Sequence, residues 1–303
     1  MTEPSKNTNE SSDSGAGKQR KPTSAYRKLR RKLSKTKLRI PHIWLRHQGL
    51  RPSDVFFASY PRSGVTWSRF TLYEILSGRA SGFAAVNSDI CGIGKHSKAP
   101  AFLPAEGRFI ATHEQYRREY QRAIYLVRDA RDVALSEFAY TRALEFFDGN
   151  LDQFLHTFLC KKISPFAPWQ RHVASWLDSP TARAANLLVV RYEDLRQNPL
   201  AGITRMIEFL GVDVDAARIE QAVANNSLEK MKSKEQLEPQ RASVKDRFVR
   251  QGLVEGWRSQ LTAAQVQLIE QHAGSMLRRL GYPVGMASTP SALDLSEHAA
   301  IAE

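Results

Sequence analysis

The chain has 303 residues, 42% of them hydrophobic, and carries 44 Lys/Arg against 31 Asp/Glu for a formal net charge of +13. That length and apolar content suit one large α/β domain, or two small ones, with a sizeable core. Two cysteines, Cys91 and Cys160, exclude a disulfide scaffold and favour a reducing compartment. No apolar run approaches the ~18 residues of a membrane span, and the polar first residues show no secretory signal. The expectation is a soluble, cytoplasmic protein.

The charge is uneven. Lys18 to Arg46 holds twelve Lys/Arg and no acidic residue, so most of the net charge sits in an N-terminal arm and the body is only mildly basic. Residues 1 to about 24 are polar and expected to be disordered. In Arg27 to Lys37, Tyr26, Leu29 and Leu33 fall on one helical stripe, which Pro41 ends or kinks. The whole of 1–46 reads as a disordered basic arm and the core as starting near Pro52. Such an arm suits peripheral contact with an anionic membrane. It lacks the interleaved aromatics of a single-strand nucleic-acid binder. The domain proper spans 47–285, and 286–303 reads as a flexible tail.

Strands are predicted at 55–59, 108–112, 123–128 and 186–191. Helices are predicted at 66–77, 131–144, 151–160, 168–177, 199–210, 215–224 and 262–280. Strands alternating with helices argue for a three-layer α/β/α domain around a parallel sheet. Ligands bind beyond the carboxyl ends of the strands in such a sheet. Four polar strand ends meet there: Ser59 onward, Thr112-His113, Arg128-Asp129 and Arg191-Tyr192.

The first of these is the most informative. Ser59-Tyr60-Pro61-Arg62-Ser63-Gly64-Val65-Thr66-Trp67 joins a buried strand to a helix. The turn points backbone N–H groups at one spot, where the helix dipole adds positive potential. Arg62 contributes a full charge, Ser63 and Thr66 contribute hydroxyls, and Gly64 allows close approach of the backbone. This is a cradle for phosphate or sulfate. It lacks the G-x-x-x-x-G-K-[ST] of nucleotide triphosphatases and any Walker-B aspartate. The bland alternative is a plain turn with Arg62 solvated.

Three further segments matter. Arg128 ends a buried strand and Ser136 lies in the following helix, so the two could grip one phosphate. Alternatively, Arg128 pairs with Asp132 and Ser136 is an ordinary surface hydroxyl. His113 leaves the core at the ligand edge, where a neutral imidazole could take a proton from an attacking hydroxyl. Glu114 could orient it or be solvated. The glycines and arginines of Arg247 to Arg258 suit a loop wrapping an anion, or a solvated loop with Trp257 anchored in the core. No zinc spacing and no G-x-S-x-G elbow is present.

Together these residues resemble the PAPS-dependent sulfotransferase family, over residues 52–283. Tyr60 to Trp67 resembles the 5′-phosphosulfate loop, usually Y-P-K-S-G-T-T-W. Arg128 through Ser136 resembles the 3′-phosphate segment. Tyr192-Glu193-Asp194-Leu195 resembles the Y-E-D-hydrophobic segment, and Phe248 to Gly252 with Gly256-Trp257 the R-K-G…G-D-W loop. The resemblance implies a P-loop-NTPase-like sulfotransferase fold, with PAPS (3′-phosphoadenosine 5′-phosphosulfate) as co-substrate and no metal. It implies that Arg62, Ser63, Gly64, Val65 and Thr66 hold the 5′-phosphate and sulfuryl group. Trp67 and Tyr192 would line the adenine site, with Ser227 near the base. Arg128, Ser136, Arg250, Gln251 and Gly252 would bind the 3′-phosphate, and His113 would be the general base. Arg62, Ala111 and Gln251 stand where family members carry lysine, and Leu228 where they carry an aromatic residue.

The function implied is sulfuryl transfer from PAPS to a hydroxyl, or less readily an amine, on a small-molecule, glycan or lipid acceptor. The alternatives are an ATP-dependent phosphoryl transferase and a non-catalytic protein that binds anionic surfaces. No specific nucleic acid is expected. The acceptor pocket is expected within 79–105 and 138–170, which contain Phe83, Phe102, Phe146, Phe147 and Phe158. Core packing is the alternative use of those rings.

Overall fold

The structure is a computed structural model that describes residues 39–144, 146–160, 166–237 and 253–285. A compact unit begins at Ile40. Its centre is strand β1 (Val55–Ser59), buried at every position. A strand covered on both faces needs a continuous apolar run rather than alternation, and Val55-Phe56-Phe57-Ala58 supplies one. Strands β2 (Ala101–Leu103), β3 (Gly107–Thr112), β4 (Ala123–Val127) and β5 (Leu187–Arg191) complete a sheet of order β2-β3-β1-β4-β5. Val55 of β1 pairs with Phe109, and Phe56 with Ala123, both in parallel. β5 joins β4 in parallel, with Val127 opposite Arg191.

The sheet is not wholly parallel. β2 runs antiparallel to β3 on the outer edge. Its three residues, set between Pro100 and Pro104, are too few to show a period, and the two prolines mask it further.

Helices cover both faces. Phe57, Phe109, Ile124 and Val190 pack on one side with residues of α2 (Val65–Ser77), α3 (Phe83–Asp89), α9 (Pro199–Leu210) and α10 (Ala216–Asn225). Phe56, Ile110, Tyr125 and Val127 pack on the other with residues of α4 (Ala130–Ala143), α5 (Leu151–Cys160), α6 (Trp169–Leu177) and α12 (Ala263–Arg279). These are the three expected layers, and the seven predicted helices are all present. Four short helices, α3, α7 (Pro180–Arg183), α8 (Tyr192–Gln197) and α11 (Leu228–Gln236), were not predicted. The sequence of α11 is almost entirely polar, and Met231 is its one buried apolar side chain, so no stripe announces it.

The boundary at residue 46 is corrected. Helix α1 spans Arg39–Arg46 and runs through Pro41. A proline in a first turn costs little, because its missing N–H has no helical partner there. The expected stripe over 27–37 and the tail at 286–303 lie outside the described residues.

What holds the end of α1 is a cluster around Glu114. Arg46 donates from Nη1 to Glu114 Oε1 at 2.9 Å and from Nη2 to the carbonyl of Ile93 at 2.7 Å. Tyr120 donates to Glu114 Oε2 at 3.2 Å, and His47 Nε2 lies 3.3 Å from the same oxygen. Burial works to raise the carboxyl, but the His47 hydrogen bond and the charge of Arg46 outweigh it and hold Glu114 at about 2. A depressed carboxyl stabilises the fold above its unfolded value and loses that contribution as pH falls through the folded one. Glu114→Gln should therefore cost ~1–3 kcal/mol at neutral pH. Urea unfolding should show the gap to the parent narrowing as pH falls from 4.5 toward about 2.

Candidate active site

Helix α2 begins without a side-chain cap, whereas α4, α9, α10, α11 and α12 all have one. Its N-cap is Gly64, at φ 92°, ψ 10°. Arg62 is also left-handed, at φ 68°. Two positive φ values in three residues fold the chain back so that the first-turn amides face the mouth of the turn. Ser63 is fully buried, and its Oγ has no hydrogen-bond partner. The Nε of Arg128 is likewise buried and unpartnered. Orphaned buried donors are rare and costly. Two of them at an uncapped helix start fit a polyanion.

Gly64 is required for a reason the sequence did not show. A Cβ on it would lie 2.4 Å from Cδ2 of Tyr192. The ring of Tyr192, 8% exposed at the start of α8, braces the turn from beneath. The guanidinium of Arg128 lies over that ring, 4.7 Å from its centroid.

Arg128 joins several segments. Nη1 approaches the carbonyl of Arg62 at 3.4 Å, and Nη2 donates to the carbonyl of Leu253 at 2.9 Å. Nη2 is also 3.6 Å from Asp132 Oδ2, so the pairing with Asp132 is present. That carboxylate has a second task. It accepts the amides of Glu255 and Trp257, each at 3.0 Å, and ties the segment after Leu253 to α4. Trp257 is fully buried, with Arg131 stacked on its indole at 3.8 Å. Ser136 accepts from Nε of Arg62 at 3.2 Å, so it faces the turn. Arg250, Gln251 and Gly252 lie outside the described residues.

Val65, Thr66 and Trp67 form the first turn of α2. Trp67 donates to the carbonyl of Asn226 at 2.6 Å, which places Ser227 close to that turn. Ser227 caps α11, accepting the amide of Lys230. Asn226 is fully buried, and its Oδ1 accepts from Ser81 and Lys234.

His113 follows β3. Its Nδ1 lies 3.0 Å from the carbonyl and 3.1 Å from the hydroxyl oxygen of Ser59. A carbonyl only accepts, so Nδ1 carries the proton and Nε2 keeps a lone pair. Ser59 is the last residue of β1, so one residue both starts the anion turn and sets the tautomer of the imidazole. Glu114 does not orient the ring, because it is held in the Arg46 cluster. Behind His113, His172 sits fully buried, with Nε2–H donating to the His113 carbonyl at 3.1 Å and Nδ1 accepting from Tyr125 at 2.9 Å. His113 is an exposed residue, yet protein atoms crowd closely enough around its ring to desolvate it. This desolvation pushes its pKa below the ordinary value, against the Ser59 hydrogen bond and helped by the charge of Arg69.

The aromatic residues divide. Phe166 stands edge-on to His113 at 6.2 Å and to Tyr60 at 6.5 Å, and Phe158 meets Tyr60 at 6.0 Å. Phe83 and Phe102 pack with the core on the opposite sheet face. Phe147 packs on Phe138 and Phe154, and Phe146 is 55% exposed. Phe166 and the buried Glu137 were missed as site residues; neither sits in a motif, and only the fold brings them near the turn.

Residues 52–281 match the sulfotransferase domain family. The chain is 26% identical to sulfotransferase 1A1 of Mus musculus over 251 residues, covering 75% of this chain and 85% of that protein. It is 26% identical to cytosolic sulfotransferase 1 of Danio rerio, covering 73% and 81%. Mouse sulfotransferase SULT7A1 complexed with PAP has a similar structure, at TM-score 0.60 and 25% identity, covering 78% of this chain and 91% of that one. Retinol dehydratase, solved with retinol and PAP, shares the fold at TM-score 0.66 and 21% identity, covering 84% and 88%. The chain belongs to the sulfotransferase family, and sulfuryl transfer from PAPS is the reaction of that family. The phosphoryl-transfer and non-catalytic alternatives are set aside.

Gly64→Ala should destabilise the protein by ~1–3 kcal/mol, from left-handed strain and the collision with Tyr192. The double variant with Tyr192→Ala should recover part of its own expected deficit, because the collision partner is gone. Denaturant midpoints of the two single variants and the double variant measure the coupling.

Proposed function

We propose that the protein transfers the sulfuryl group of PAPS to the hydroxyl of a small acceptor with an apolar body, using His113 as general base. The observation that carries this is the shared anchor at Ser59. It sets the protonated Nδ1 of His113 at the root of the anion turn, leaving Nε2 free to take the acceptor proton.

The orphaned Ser63 Oγ and Arg128 Nε fit the donor's phosphates and sulfate. Arg62, Ser63, Gly64, Val65 and Thr66 would hold the 5′ end. Arg128 and Ser136, with Arg250, Gln251 and Gly252, would hold the 3′-phosphate. Trp67, Tyr192 and Ser227 would flank the adenine. When bound, PAPS supplies a sulfuryl group on a leaving phosphate. The chain's own contribution is preorganised positive potential at the turn, from Arg62 and the first amides of α2. His113, kept neutral by its surroundings, removes the acceptor proton, and Phe158 and Phe166 exclude water beside it. Among the described residues, no group of three His, Cys, Asp or Glu side chains could hold a metal ion.

A peripheral attachment to anionic membrane also belongs to this reading. Trp44 and Leu45 of α1 are 63% and 65% exposed and lie at the end of the basic run, just before Arg46. No described helix is long and apolar enough to cross a membrane. Deleting residues 1–38 should abolish flotation with phosphatidylserine liposomes while leaving transfer to a soluble acceptor intact.

His113→Ala should lower kcat by ~10²–10⁴ while 3′,5′-adenosine bisphosphate still binds by calorimetry. Lost binding would instead make His113 structural. With the parent enzyme, a base whose pKa is lowered in the free protein places the acid limb of the kcat/KM profile below 6.5. Arg128→Ala should raise the donor KM by ~10–100-fold, as expected for one charged hydrogen bond. An unchanged KM would remove Arg128 from the donor site.

A further inference from the structure

Glu137 follows Ser136 on α4, but its side chain turns inward and is 6% exposed. Its Oε2 has no hydrogen-bond donor. An ionised carboxylate in that condition is costly out of water, and the neutral form is much cheaper. Several groups face it. From the anion turn come Tyr60 and Arg62, whose guanidinium lies against the same stretch of α4: its Nε donates to Ser136 at 3.2 Å and its carbon sits 4.6 Å from the Tyr140 ring centroid. α5 presents Phe154 and Phe158 on this side of the sheet. Beyond Tyr60, α6 presents His172, which meets the Tyr60 ring edge-on at 5.3 Å. Burial pushes His172 down to about 3, so it is neutral. Among the described residues, the charge acting on Glu137 is that of Arg62. Burial raises the carboxyl, Arg62 lowers it, and the balance lies at about 7.

Arg62 is also the charged residue of the anion turn. We propose that Glu137 is its proton-linked counter-charge: on the alkaline side of neutrality it is ionised against the guanidinium while the turn is free, and it becomes protonated once the donor's sulfate or phosphate takes that guanidinium. This rests on the reading above that Arg62 meets the donor. A guanidinium does not release its proton at physiological pH. The adjustment of charge that an ammonium could make at this position therefore falls to the neighbouring carboxyl.

The sign follows from electrostatics. An anion on Arg62 cancels the positive charge that favours ionised Glu137 and adds negative charge nearby. Both raise the Glu137 pKa in the complex. Binding then takes up a proton above the free-enzyme value of about 7. Affinity falls as pH rises through that point, by up to about tenfold per pH unit. Well below it, Glu137 is already protonated and contributes no uptake.

Calorimetry of 3′,5′-adenosine bisphosphate binding tests this. Paired buffers of different ionisation enthalpy, on either side of pH 7, report the protons exchanged. On the alkaline side the parent should take up about one proton more than Glu137→Gln. Protonation of the ligand itself is common to both and cancels. Glu137→Asp should keep the linkage, and the Gln variant should bind with a flatter pH dependence. Equal uptake in parent and Gln variant overturns the proposal. So does a parent affinity that does not weaken above pH 7, a measurement that needs no variant. If the parent binds no bisphosphate at all, the donor reading itself fails and takes this inference with it.

Discussion

In a parallel sheet every strand ends on the same edge, and β1, held between β3 and β4, ends in the middle of it. That register decides where the chemistry can be. Val55 lies opposite Phe109 and Phe56 opposite Ala123, so Ser59, Thr112 and Val127 leave the sheet side by side. His113, the Arg62 turn and Arg128 therefore converge although they lie far apart in the chain. The buried strands also stiffen the roots of these loops. Positive φ at Arg62 is a strained conformation costing ~1–3 kcal/mol, set between the end of β1 and Gly64, whose Cα faces the Tyr192 ring.

Charge at this edge is arranged in pairs that do not fully cancel. Arg131 is wholly buried and bonded to Asp129 at 2.6 Å and Glu270 at 2.8 Å. Asp132 is committed to the amides of Glu255 and Trp257, with Arg128 at 3.6 Å. Arg128 spends its two terminal nitrogens on carbonyl oxygens of neighbouring segments, which are dipoles rather than full charges. Positive potential is thus left over at the turn, while the surrounding frame is held by satisfied hydrogen bonds.

The parts of the fold legible in the sequence were those with a strong period or a motif. The continuous apolar runs of β1 and β4 and the amphipathic stripes of α9 and α12 located themselves. The residues around the anion turn were recognisable because glycine, serine and a cation at fixed spacing have few other uses together. Legibility failed where an element is short or polar, as in β2 and α11, or where proline reads as a stop although it sits in a first turn, as in α1. It failed too for Glu137, Phe166 and Asn226. Their places depend on which helix face turns inward and on contacts across more than a hundred residues, as between Trp67 and Asn226. Glu114 shows the converse: its proximity to His113 in sequence suggested a partner, but its carboxylate points to Arg46, His47 and Tyr120.

That last cluster has a mechanical consequence. The chain enters the folded body through α1, and the fastening at the end of α1 is Arg46 on Glu114, the residue directly after His113. Any load on the amino-terminal segment, whether from a surface it adheres to or from a fused tag, is borne next to the imidazole. A shortened chain that starts at residue 47 would strip the guanidinium and leave an acidic group without it beside His113, so a cut for removing the upstream segment belongs before α1.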